Sequence, residues 1–482
     1  MALVAGVDSS TQSCTIMLRD AVDGRPVAIA SAPHPRTTPP VSEQHPDSWW
    51  HALEEAFGEL EAQSVSAISI DWQGHGLVVL DEAHRVIRPA KLWNDTTSAP
   101  EAEELVGRLG AEVWSRRVGS VPTAAFTITK LLWLARHEPE SFERVKAVLL
   151  PHDWLNYRLT GLFRTDRTEA SGTGYFSPAE SAWQSDLLSL VGGDGWCPEL
   201  PLVLGPDESA GVVTAHAAAQ LGLPPGIPVG PGCNDNPASA LALGIRDGDV
   251  VVSLGTSGTV FARSVLPVAD PSGTVDGNAD PTGVYLPLVC TLNATKVTDA
   301  FGRLLGVDHT ALAELALSAP FERDRPVLVP YLDGERTPNR PSARGLLAGL
   351  RSDLTREQLA RAVFEGVVCG LLDGLDALVR LGVRTDGRLI VTGGGARSPA
   401  YRQLLADLSG RPVYASEITE TAAAGAAVQA AAVLLGRTAA DVARSWAPEL
   451  PVVARPREGQ ESRELRDRYH RVASIEEADG LF

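Results

Sequence analysis

Lysine and cysteine are scarce in this chain of 482 residues, and its charge is strongly unbalanced towards acids. Only four lysines occur among the 42 basic residues, and the formal net charge at pH 7 is -18. Because nucleic-acid backbones and anionic membranes would repel such a surface, this balance argues against either as a general partner. A ligand that carries phosphate would have to be held locally, by backbone amides, a metal ion or a few placed cations.

Long apolar runs and cysteine pairs are absent as well. The most apolar run, residues 422–435, is broken by Gly425 and Gln429 and is too short to span a bilayer, so we expect a packed helix that ends at Gly436. The five cysteines are scattered and form no Cys-x-x-Cys pair. This usage favours reduced thiols in a cytoplasmic protein over a disulfide framework or a zinc site. The N-terminus lacks a basic segment and turns polar at Asp8, so we expect no signal peptide.

The length and the residue pattern indicate two α/β domains. A chain of this size exceeds one hydrophobic core and suits two domains of roughly 200 residues or slightly more. Its 44% hydrophobic content and mean hydropathy of -0.01 are typical of globular proteins. Short apolar runs alternate with helical periodicity, as at residues 49–63 and 65–71 and again at residues 389–392 and 399–408. We divide the chain into residues 1–245 and 246–482.

Two similar hairpins, one in each half, are the most informative pattern. The first has strands at residues 3–7 and 15–18 around a turn of small and hydroxyl-bearing residues, and the second has strands at 250–252 and 259–262. The N–H and hydroxyl groups of such a turn can wrap a phosphate. The repetition predicts a duplicated fold that grips one nucleotide from both sides.

Two aspartates could carry chemistry at these turns. Asp8 ends a predicted buried strand and could hold Mg²⁺ directly or through water, although it could also only cap its own turn. Asp235 lies between the two hairpins, in the segment from Cys233 to Pro237. It could accept a proton from an alcohol during phosphoryl transfer, or it could simply cap the helix that follows.

Two further polar segments suit a small ligand rich in hydroxyl groups. The turn from Gln73 to Gly76 follows a predicted strand, at the end where open α/β sheets bind ligands. The segment from Leu92 to Asp95 combines an aromatic wall with hydrogen-bonding groups. A structural histidine at His75 and a loop around a buried Trp93 are the alternatives.

A glycine turn at residues 393–395 follows a strand and opens a helix, which is a geometry able to seat part of a nucleotide. The sequence contains neither a Walker-type Gly-x-x-x-x-Gly-Lys motif nor a protein-kinase catalytic loop. The two commonest frameworks for phosphoryl transfer are therefore excluded.

Taken in order, these motifs resemble the FGGY family of carbohydrate kinases, and most closely its xylulose-phosphorylating members. The resemblance runs through nearly the whole chain, and the segments that carry it are residues 6–8, 73–76, 92–95, 130–133, 151–161, 234–236, 253–258, 330–338 and 393–398. It implies two actin/Hsp70-like (ribonuclease H-like) ATPase domains, with ATP and sugar meeting in an interdomain cleft. It also implies that Asp235 is the general base and that Asp8 is the acid needed for Mg²⁺ and ATP.

The resemblance assigns the remaining site residues by position. The positions implied to contact the sugar are Gln73, Gly74, His75, Trp93, Asn94, Asp95 and Asn236. The positions implied to contact the nucleotide are Ser10, Thr11, Gln12, Gly255, Thr256, Ser257, Gly394, Gly395 and Ala396.

The implied reaction is transfer of phosphate from ATP to D-xylulose, giving D-xylulose 5-phosphate. The alternatives within the family are ribulose, another ketose or a sugar alcohol such as a pentitol. An alternative of another class is a non-catalytic, actin-like sugar sensor. The implied partner is a small sugar, with neither nucleic acid nor membrane involved, and the resemblance leaves room for a homodimer.

Four positions depart from the family pattern. Ser10 stands where the first phosphate turn usually has glycine, and Thr15 stands where a basic residue is common. Gly74 replaces a larger side chain, usually methionine, and Thr97 replaces an arginine found in many of the xylulose-phosphorylating members. We expect the change at Gly74 to leave extra room on one wall of the sugar pocket.

Overall fold

The computed structural model describes residues 2–320, 322, 324–457 and 462–479 of the chain. These residues form two compact units. Unit 1 comprises Met1–Ile245, Val265–Leu286 and Glu420–Pro448, and unit 2 comprises Arg246–Ser264, Pro287–Thr419 and Glu449–Phe482. Two later segments of the chain therefore pack with the first unit, and a functional division after residue 245 stays a prediction.

The strands alternate with helices along the chain. The strands are β1 Leu3–Ser9, β2 Ser13–Asp20, β3 Pro26–Pro33, β4 Glu43–Gln44, β5 Val65–Trp72, β6 Val78–Leu80, β7 Ala90–Lys91, β8 Ala147–Leu149, β9 Arg164–Asp166, β10 Phe176–Ser177, β11 Ala182–Trp183, β12 Leu202–Leu204, β13 Gly211–Val212, β14 Pro228–Val229, β15 Cys233–Asn234, β16 Val250–Leu254, β17 Gly258–Ala262, β18 Asp276–Ala279, β19 Tyr285–Thr291, β20 Val327–Val329, β21 Leu346–Ala348, β22 Leu389–Thr392, β23 Val413–Ala415 and β24 Val452–Ala454.

The helices are α1 Pro46–Gly58, α2 Ala99–Leu109, α3 Ala111–Val118, α4 Thr127–His137, α5 Pro139–Glu143, α6 Pro151–Thr160, α7 Arg167–Ser171, α8 Ser189–Gly192, α9 Ala215–Leu221, α10 Asp235–Leu243, α11 Thr295–Leu305, α12 His309–Ser318, α13 Arg356–Arg380, α14 Pro399–Ser409, α15 Thr421–Leu435, α16 Ala439–Trp446 and α17 Ser462–Asp479. Short 3-10 turns lie at Ala62–Ser64, Ser185–Leu188 and Gly394–Arg397.

The main sheets of the two units share one topology, which confirms the predicted duplication and the α/β class. In unit 1 the strands run in the order β3, β2, β1, β5, β14, and in unit 2 the order is β19, β17, β16, β22, β23. In each unit the first three strands form antiparallel pairs, and the third and fourth, like the fourth and fifth, are parallel. Both predicted hairpins, β1 with β2 and β16 with β17, are present.

Helix α15 lies directly on strand β1 of unit 1. A Cβ added to Gly6 would lie 1.9 Å from the carbonyl oxygen of Ala423, and one added to Gly425 would lie 1.8 Å from that of Ala238 in α10. The small residues of the alanine-rich run therefore allow backbones to approach closely. The run is a buried helix that ends at Gly436, as predicted.

Aromatic side chains of α1 fill the other side of the unit 1 sheet. Trp49, Trp50 and Phe57 are buried with Trp72 of β5 in one cluster. Each such side chain contributes about 2 kcal/mol through its burial. The helix ends at Gly58 rather than at residue 63 as predicted, because a turn and a 3-10 segment intervene before β5.

All five cysteines are free, and Cys197 is the exposed one. Among the described residues, we find no helix that combines the length and the apolar character needed to cross a membrane.

Candidate functional site

Three neighbouring strands of unit 1 end at the same sheet edge and bring three acids together. Asp8 of β1 is the register partner of Asp71 of β5, and Asp71 is the register partner of Cys233 of β15. Asp235 follows β15 directly and begins helix α10. This is the edge of an open α/β sheet at which ligands bind.

The buried carboxylates at this edge lack partners within the part of the chain that the structure describes. Oδ1 of Asp8, both carboxylate oxygens of Asp71 and both of Glu169 are buried without a hydrogen bond. Asp71 and Glu169 are fully buried. Because buried polar groups are almost always satisfied, these oxygens indicate a ligand or a proton that completes them.

Burial and mutual repulsion oppose ionisation of these groups. Burial, followed by the charge of Asp235, raises the pKa of Asp8. Burial and the charge of Asp8 raise the pKa of Asp71 well above its usual range, and burial with the charges of Asp166 and Asp153 does the same for Glu169. A cation at the edge would reverse this effect, because an opposite charge favours the ionised form.

The donor set fits Mg²⁺ that is completed by other ligands. No group of three or more histidine, cysteine, aspartate or glutamate side chains within the described ranges is arranged to hold a metal ion. Mg²⁺, however, is usually bound by one or two carboxylates together with water and substrate phosphates. The unpaired oxygen of Asp8, with Asp71 beside it, meets that requirement.

Asp235 does not serve as the cap of its helix. Asn234 is the N-cap residue of α10, and its side chain accepts a hydrogen bond of 3.3 Å from the backbone N–H of Asn236. Oδ1 of Asp235 accepts from both the backbone N–H and the side-chain Nδ2 of Asn236, each at 2.7 Å. Burial raises the pKa of Asp235 to about 6, although the hydrogen bonds from Asn236 act in the opposite direction.

The loop before Asp235 is held by buried amides. Asn156 Nδ2 donates to the carbonyl oxygen of Pro231 at 3.3 Å, and Gln429 Nε2 donates to that of Gly232 at 2.9 Å. The backbone N–H of Asn234 donates to the hydroxyl of Thr168 at 2.8 Å. These contacts fix the backbone that presents the carboxylate.

The turn after β5 is strained and fixes the orientation of His75. Gly74, His75 and Gly76 all have positive φ values, of 72°, 58° and 89°. A non-glycine residue in this conformation is uncommon and is often functional. Nδ1 of His75 donates to the carbonyl oxygen of Gly172 at 2.8 Å, so that the lone pair of the neutral ring is on Nε2. Phe126 packs against the ring.

The expectation of extra room at Gly74 is wrong. A Cβ on Gly74 would lie 1.9 Å from Nδ2 of Asn234, so this amide occupies the space that a side chain at Gly74 would take. The positive φ of Gly74 disfavours any other residue as well. Because Gly74 has no side chain, the loop that carries Asn234 and Asp235 can pack directly against it.

We expect Gly74→Ala to lower the thermal midpoint of unfolding. The left-handed conformation alone costs about 1–2 kcal/mol for alanine, and displacement of Asn234 adds to that cost. Gly107→Ala is the matched control, because Gly107 lies inside helix α2 with no atom within 4 Å of an added Cβ. The control should be neutral or stabilising by up to about 1 kcal/mol. A midpoint for Gly74→Ala at or above that of the wild type would contradict this interpretation.

Two buried amide atoms near this turn have no partner among the described residues. Nε2 of Gln73 is a donor and Oδ1 of Asn94 is an acceptor, and both are buried and unpaired. The indole N–H of Trp93 donates to the hydroxyl of Thr11 at 3.0 Å, which brings this loop to the β1–β2 turn. A sugar that offers one accepting oxygen and one donating hydroxyl matches the two unpaired atoms.

The carboxylate of Asp95 is buried and hydrogen-bonded within the protein. It accepts from the backbone N–H of Ser42 at 2.8 Å, from Lys91 Nζ at 3.2 Å and from both the N–H and the hydroxyl of Thr97. Lys91 is itself buried against the Trp133 ring, 3.7 Å from its centroid. Lys91 therefore places a positive charge beside Asp95, where Thr97 replaces the arginine of the family pattern. Asp95 in turn supports the loop that carries Trp93 and Asn94.

The hydroxyl groups of the first turn are largely consumed within unit 1. The hydroxyl of Ser10 donates to the carbonyl oxygen of Ser13 at 3.1 Å, and that of Thr11 donates to Oε1 of Gln73. The backbone N–H groups of Thr11 and Gln12 make no backbone hydrogen bond within the described part of the chain, so they remain as donors of the turn. Thr15 contacts Ser31 on the neighbouring strand and leaves no cation at this position.

The second turn, in unit 2, is bound to the start of helix α11. The backbone N–H of Thr295 donates to the carbonyl oxygen of Gly255 at 3.0 Å, and that of Ala294 donates to Thr256 at 3.2 Å. Ser257 closes the turn by accepting from the N–H of Gly255 at 3.0 Å. The turn is thus fixed in place beside the N-terminus of a helix.

The glycine turn of unit 2 lies beside the same hairpin. Strand β22 pairs in parallel with β16, and a Cβ on Gly393 or Gly395 would lie 2.8 Å from atoms of Leu254. Gly394 faces open space, since nothing lies within 4 Å of its added Cβ, whereas Ala396 is buried. The structure therefore brings Gly255 to Ser257 and Gly394 to Ala396 to one edge of the unit 2 sheet.

Sequence reasoning missed Asp71, Glu169 and Lys91. Asp71 could have been found, because it ends the predicted strand that precedes Gln73. Glu169 gives no local signal, since it lies on the short helix α7 and meets the other acids only through the fold. Lys91 could have been noticed as one of only four lysines, next to the segment that begins at Leu92.

Known proteins match both halves of the chain. Residues 3–242 match the N-terminal domain of the FGGY family of carbohydrate kinases, and residues 250–434 match its C-terminal domain. The chain is 47% identical to a protein of Streptomyces coelicolor named xylulose kinase, over 92% of this chain and 90% of that relative. It is 46% identical to a xylulose kinase of Streptomyces rubiginosus, over 95% of this chain and 94% of that relative.

Among solved structures, the crystal structure of xylulose kinase from Bifidobacterium adolescentis is similar with a TM-score of 0.85 and 38% identity. The match covers 98% of this chain and 99% of that one.

Proposed function

Because the chain belongs to the FGGY family of carbohydrate kinases, we propose that it transfers the γ-phosphoryl group of ATP to D-xylulose. The products are D-xylulose 5-phosphate and ADP. The two relatives named xylulose kinase support this sugar. Within the structure, the observation that carries the proposal is the position of Asp235 at the sheet edge that also presents Asp8 and Gln73.

Asp235 acts as the general base in this proposal. The 5-hydroxyl oxygen of the sugar attacks the γ-phosphorus, the bond to the β,γ-bridging oxygen breaks, and ADP leaves. The hydroxyl proton passes to the carboxylate of Asp235. A pKa near 6 leaves this carboxylate mostly ionised at neutral pH, while it remains basic enough to take the proton.

Asp8 would hold Mg²⁺ directly or through water, with Asp71 beside it. When it is bound, the ion neutralises charge on the transferring phosphate. The nucleotide phosphates would meet the backbone N–H groups of Thr11 and Gln12, with Ser10 shaping this turn, and in unit 2 the turn of Gly255, Thr256 and Ser257. The segment Gly394, Gly395 and Ala396 would receive the adenosine.

The sugar would pair with groups that the protein leaves unsatisfied. Gln73 Nε2 donates a hydrogen bond and Asn94 Oδ1 accepts one, while His75, which its bond to Gly172 orients, contacts the sugar beside them. Trp93 forms a wall, whereas Gly74 and Asn236 shape the loop around Asp235. A buried site of this kind discriminates strongly against ligands that leave one of its groups unpaired.

A coupled assay of ADP release across pentuloses, pentitols and hexoses tests the substrate. We expect D-xylulose to have the highest kcat/KM. A clear preference for D-ribulose or a pentitol would reject D-xylulose as the substrate while leaving the kinase reaction intact. If no sugar stimulated ADP release, the non-catalytic sugar sensor would be favoured.

The pH dependence should follow the ionisation of Asp235. Since the base must be deprotonated, kcat/KM for the sugar should fall as the pH drops through about 6. In Asn236→Ala, loss of the side-chain donor removes an interaction that lowers the pKa, so this acid limb should move to higher pH. A pH–rate profile of both enzymes checks this, and an unchanged acid limb in Asn236→Ala would count against Asp235 as the titrating base.

The proposed reaction requires ATP, and with the free cysteines this supports a cytoplasmic location. The homodimer, for which the resemblance leaves room, is tested by light scattering of the purified protein.

A further inference from the structure

Three polar side chains form a hydrogen-bonded relay, which we define as Trp93, Thr11 and Gln73. The indole N–H of Trp93 donates to the hydroxyl oxygen of Thr11 at 3.0 Å. The hydroxyl of Thr11 donates to Oε1 of Gln73. Nε2 of Gln73 is buried and has no partner among the described residues.

The indole of Trp93 determines the direction in which hydrogen bonds are donated along the relay. An indole N–H can only donate, so the hydroxyl oxygen of Thr11 must accept from Trp93. The hydroxyl has a single proton, and that proton is then directed to Gln73. The amide of Gln73 must therefore turn its oxygen towards Thr11, which leaves its NH₂ group as the end of the relay.

A second tryptophan and glutamine in unit 1 show the same arrangement in completed form. The indole N–H of Trp49 donates to Oε1 of Gln44 at 2.7 Å. Nε2 of Gln44 then donates to the carbonyl oxygens of Thr11 and Pro35, at 3.1 and 2.6 Å. In the relay of Trp93 the corresponding NH₂ group lacks such an acceptor, so a ligand must supply it.

We propose that Trp93 and Thr11 are positioning residues that fix the Gln73 amide as a hydrogen-bond donor, and that this donor selects the keto oxygen of a ketose. A keto oxygen only accepts. A hydroxyl at the same place would accept too, but it would bring a proton of its own that needs an acceptor in a buried site. The relay thus favours a ketose over the alditol formed by its reduction. This inference rests on the proposed function, and it names the keto oxygen as the substrate group that the site recognises.

The relay assigns the side chain of Thr11 to the sugar site and leaves its backbone N–H to the nucleotide phosphates. Its only hydroxyl proton is used within the relay, so the side chain has no donor left for a phosphate. Loss of the hydroxyl should change the kinetic parameters for the sugar and leave the KM for ATP within about twofold.

Four variants test the relay. Trp93→Phe removes the N–H but keeps a ring, and Thr11→Val removes the hydroxyl at nearly equal volume. Thr11→Ser keeps the hydroxyl and should rescue the effect. Trp183→Phe is the matched control, because its indole N–H donates to the carbonyl oxygen of Pro201 at 3.1 Å, outside the candidate site.

For each enzyme, kcat/KM is measured with D-xylulose and with xylitol, and the KM for ATP is measured in parallel. We expect Trp93→Phe and Thr11→Val to lower kcat/KM for D-xylulose by about 10-fold, which is the effect of one lost buried hydrogen bond. The ratio of kcat/KM for D-xylulose to kcat/KM for xylitol should therefore decrease. Thr11→Ser and Trp183→Phe should keep the wild-type ratio. An unchanged ratio in Trp93→Phe, or an effect of Thr11→Val on the KM for ATP alone, would overturn the relay.

Calorimetric binding of both sugars to the same enzymes separates this inference from the proposed reaction. If the wild type binds D-xylulose more tightly than xylitol but does not phosphorylate it, the reaction fails, and the change in the binding ratio in Trp93→Phe still decides the relay. If the wild type binds xylitol as tightly as D-xylulose, or binds neither, the relay is overturned whatever the turnover shows.

Discussion

Asp235→Asn is expected to lower the kcat for sugar phosphorylation by about 10²–10⁴ while MgATP binding stays close to normal. The asparagine keeps the shape of the side chain and can still hydrogen-bond to Asn236, but it cannot accept the proton of the sugar hydroxyl. The measurement is steady-state ADP release together with calorimetric binding of MgATP.

Asp308→Asn is the control for this substitution. Asp308 is also an aspartate at the start of a helix, where it caps α12 by accepting from the backbone N–H of Ala311 at 2.8 Å. Asparagine caps a helix as well as aspartate does, so the control should keep wild-type kinetics. Near-normal turnover in Asp235→Asn would remove Asp235 from the reaction.

Asp8→Asn is expected to weaken the use of Mg²⁺ strongly, with a higher Mg²⁺ requirement and a kcat that added Mg²⁺ does not fully restore. A neutral amide is a poor ligand for a hard divalent cation in this position, and charge on the transferring phosphate would then be less well neutralised. A titration of the rate with Mg²⁺ at saturating ATP measures this effect. An unchanged Mg²⁺ dependence would mean that Asp8 only caps its turn.

The same variant should gain stability relative to the wild type as the pH rises, when metal is absent. The pKa of Asp8 in the folded protein is raised above its unfolded value, so the folded state holds an extra proton between the two values. Stability from this group is present at low pH and is lost as the pH rises through its folded pKa. Thermal melts without metal should therefore separate the two proteins most at pH 8 and less at pH 5. Equal melting at both values would contradict the repulsion inferred among the buried acids.

Local pattern was enough to predict the parts of the fold that depend on neighbouring residues. The β1–β2 and β16–β17 hairpins, the strand Leu389–Thr392 and the alanine-rich helix each have a periodicity or a turn signal of their own. The duplication was predicted from the hairpins, whereas the parallel pairing of β5 with β1 and of β22 with β16 is known only from the structure.

The expectation at Gly74 that proved wrong, and the contacts that Thr11 and Asp95 make, depend on side chains that only the fold brings together. The space at Gly74 is filled by Asn234, 160 positions later, and no pattern near residue 74 reports that contact. The hydroxyl of Thr11 is consumed by Gln73, which lies on a different loop. The resemblance assigns Asp95 to the sugar, and that role stays a prediction, while its carboxylate accepts hydrogen bonds from Ser42, Lys91 and Thr97. Motif position therefore indicates a candidate site, but it cannot show which polar groups of that site remain unpaired for a ligand.

Phosphorus NMR of the product formed from MgATP and D-xylulose tests the proposed reaction most directly. The wild-type enzyme should produce ADP and a sugar phosphate monoester on the 5-oxygen in equal amounts, and Asp235→Asn should produce neither above about 1% of that rate. Formation of free phosphate in place of the sugar phosphate, or an equal yield of the ester from Asp235→Asn, would contradict it.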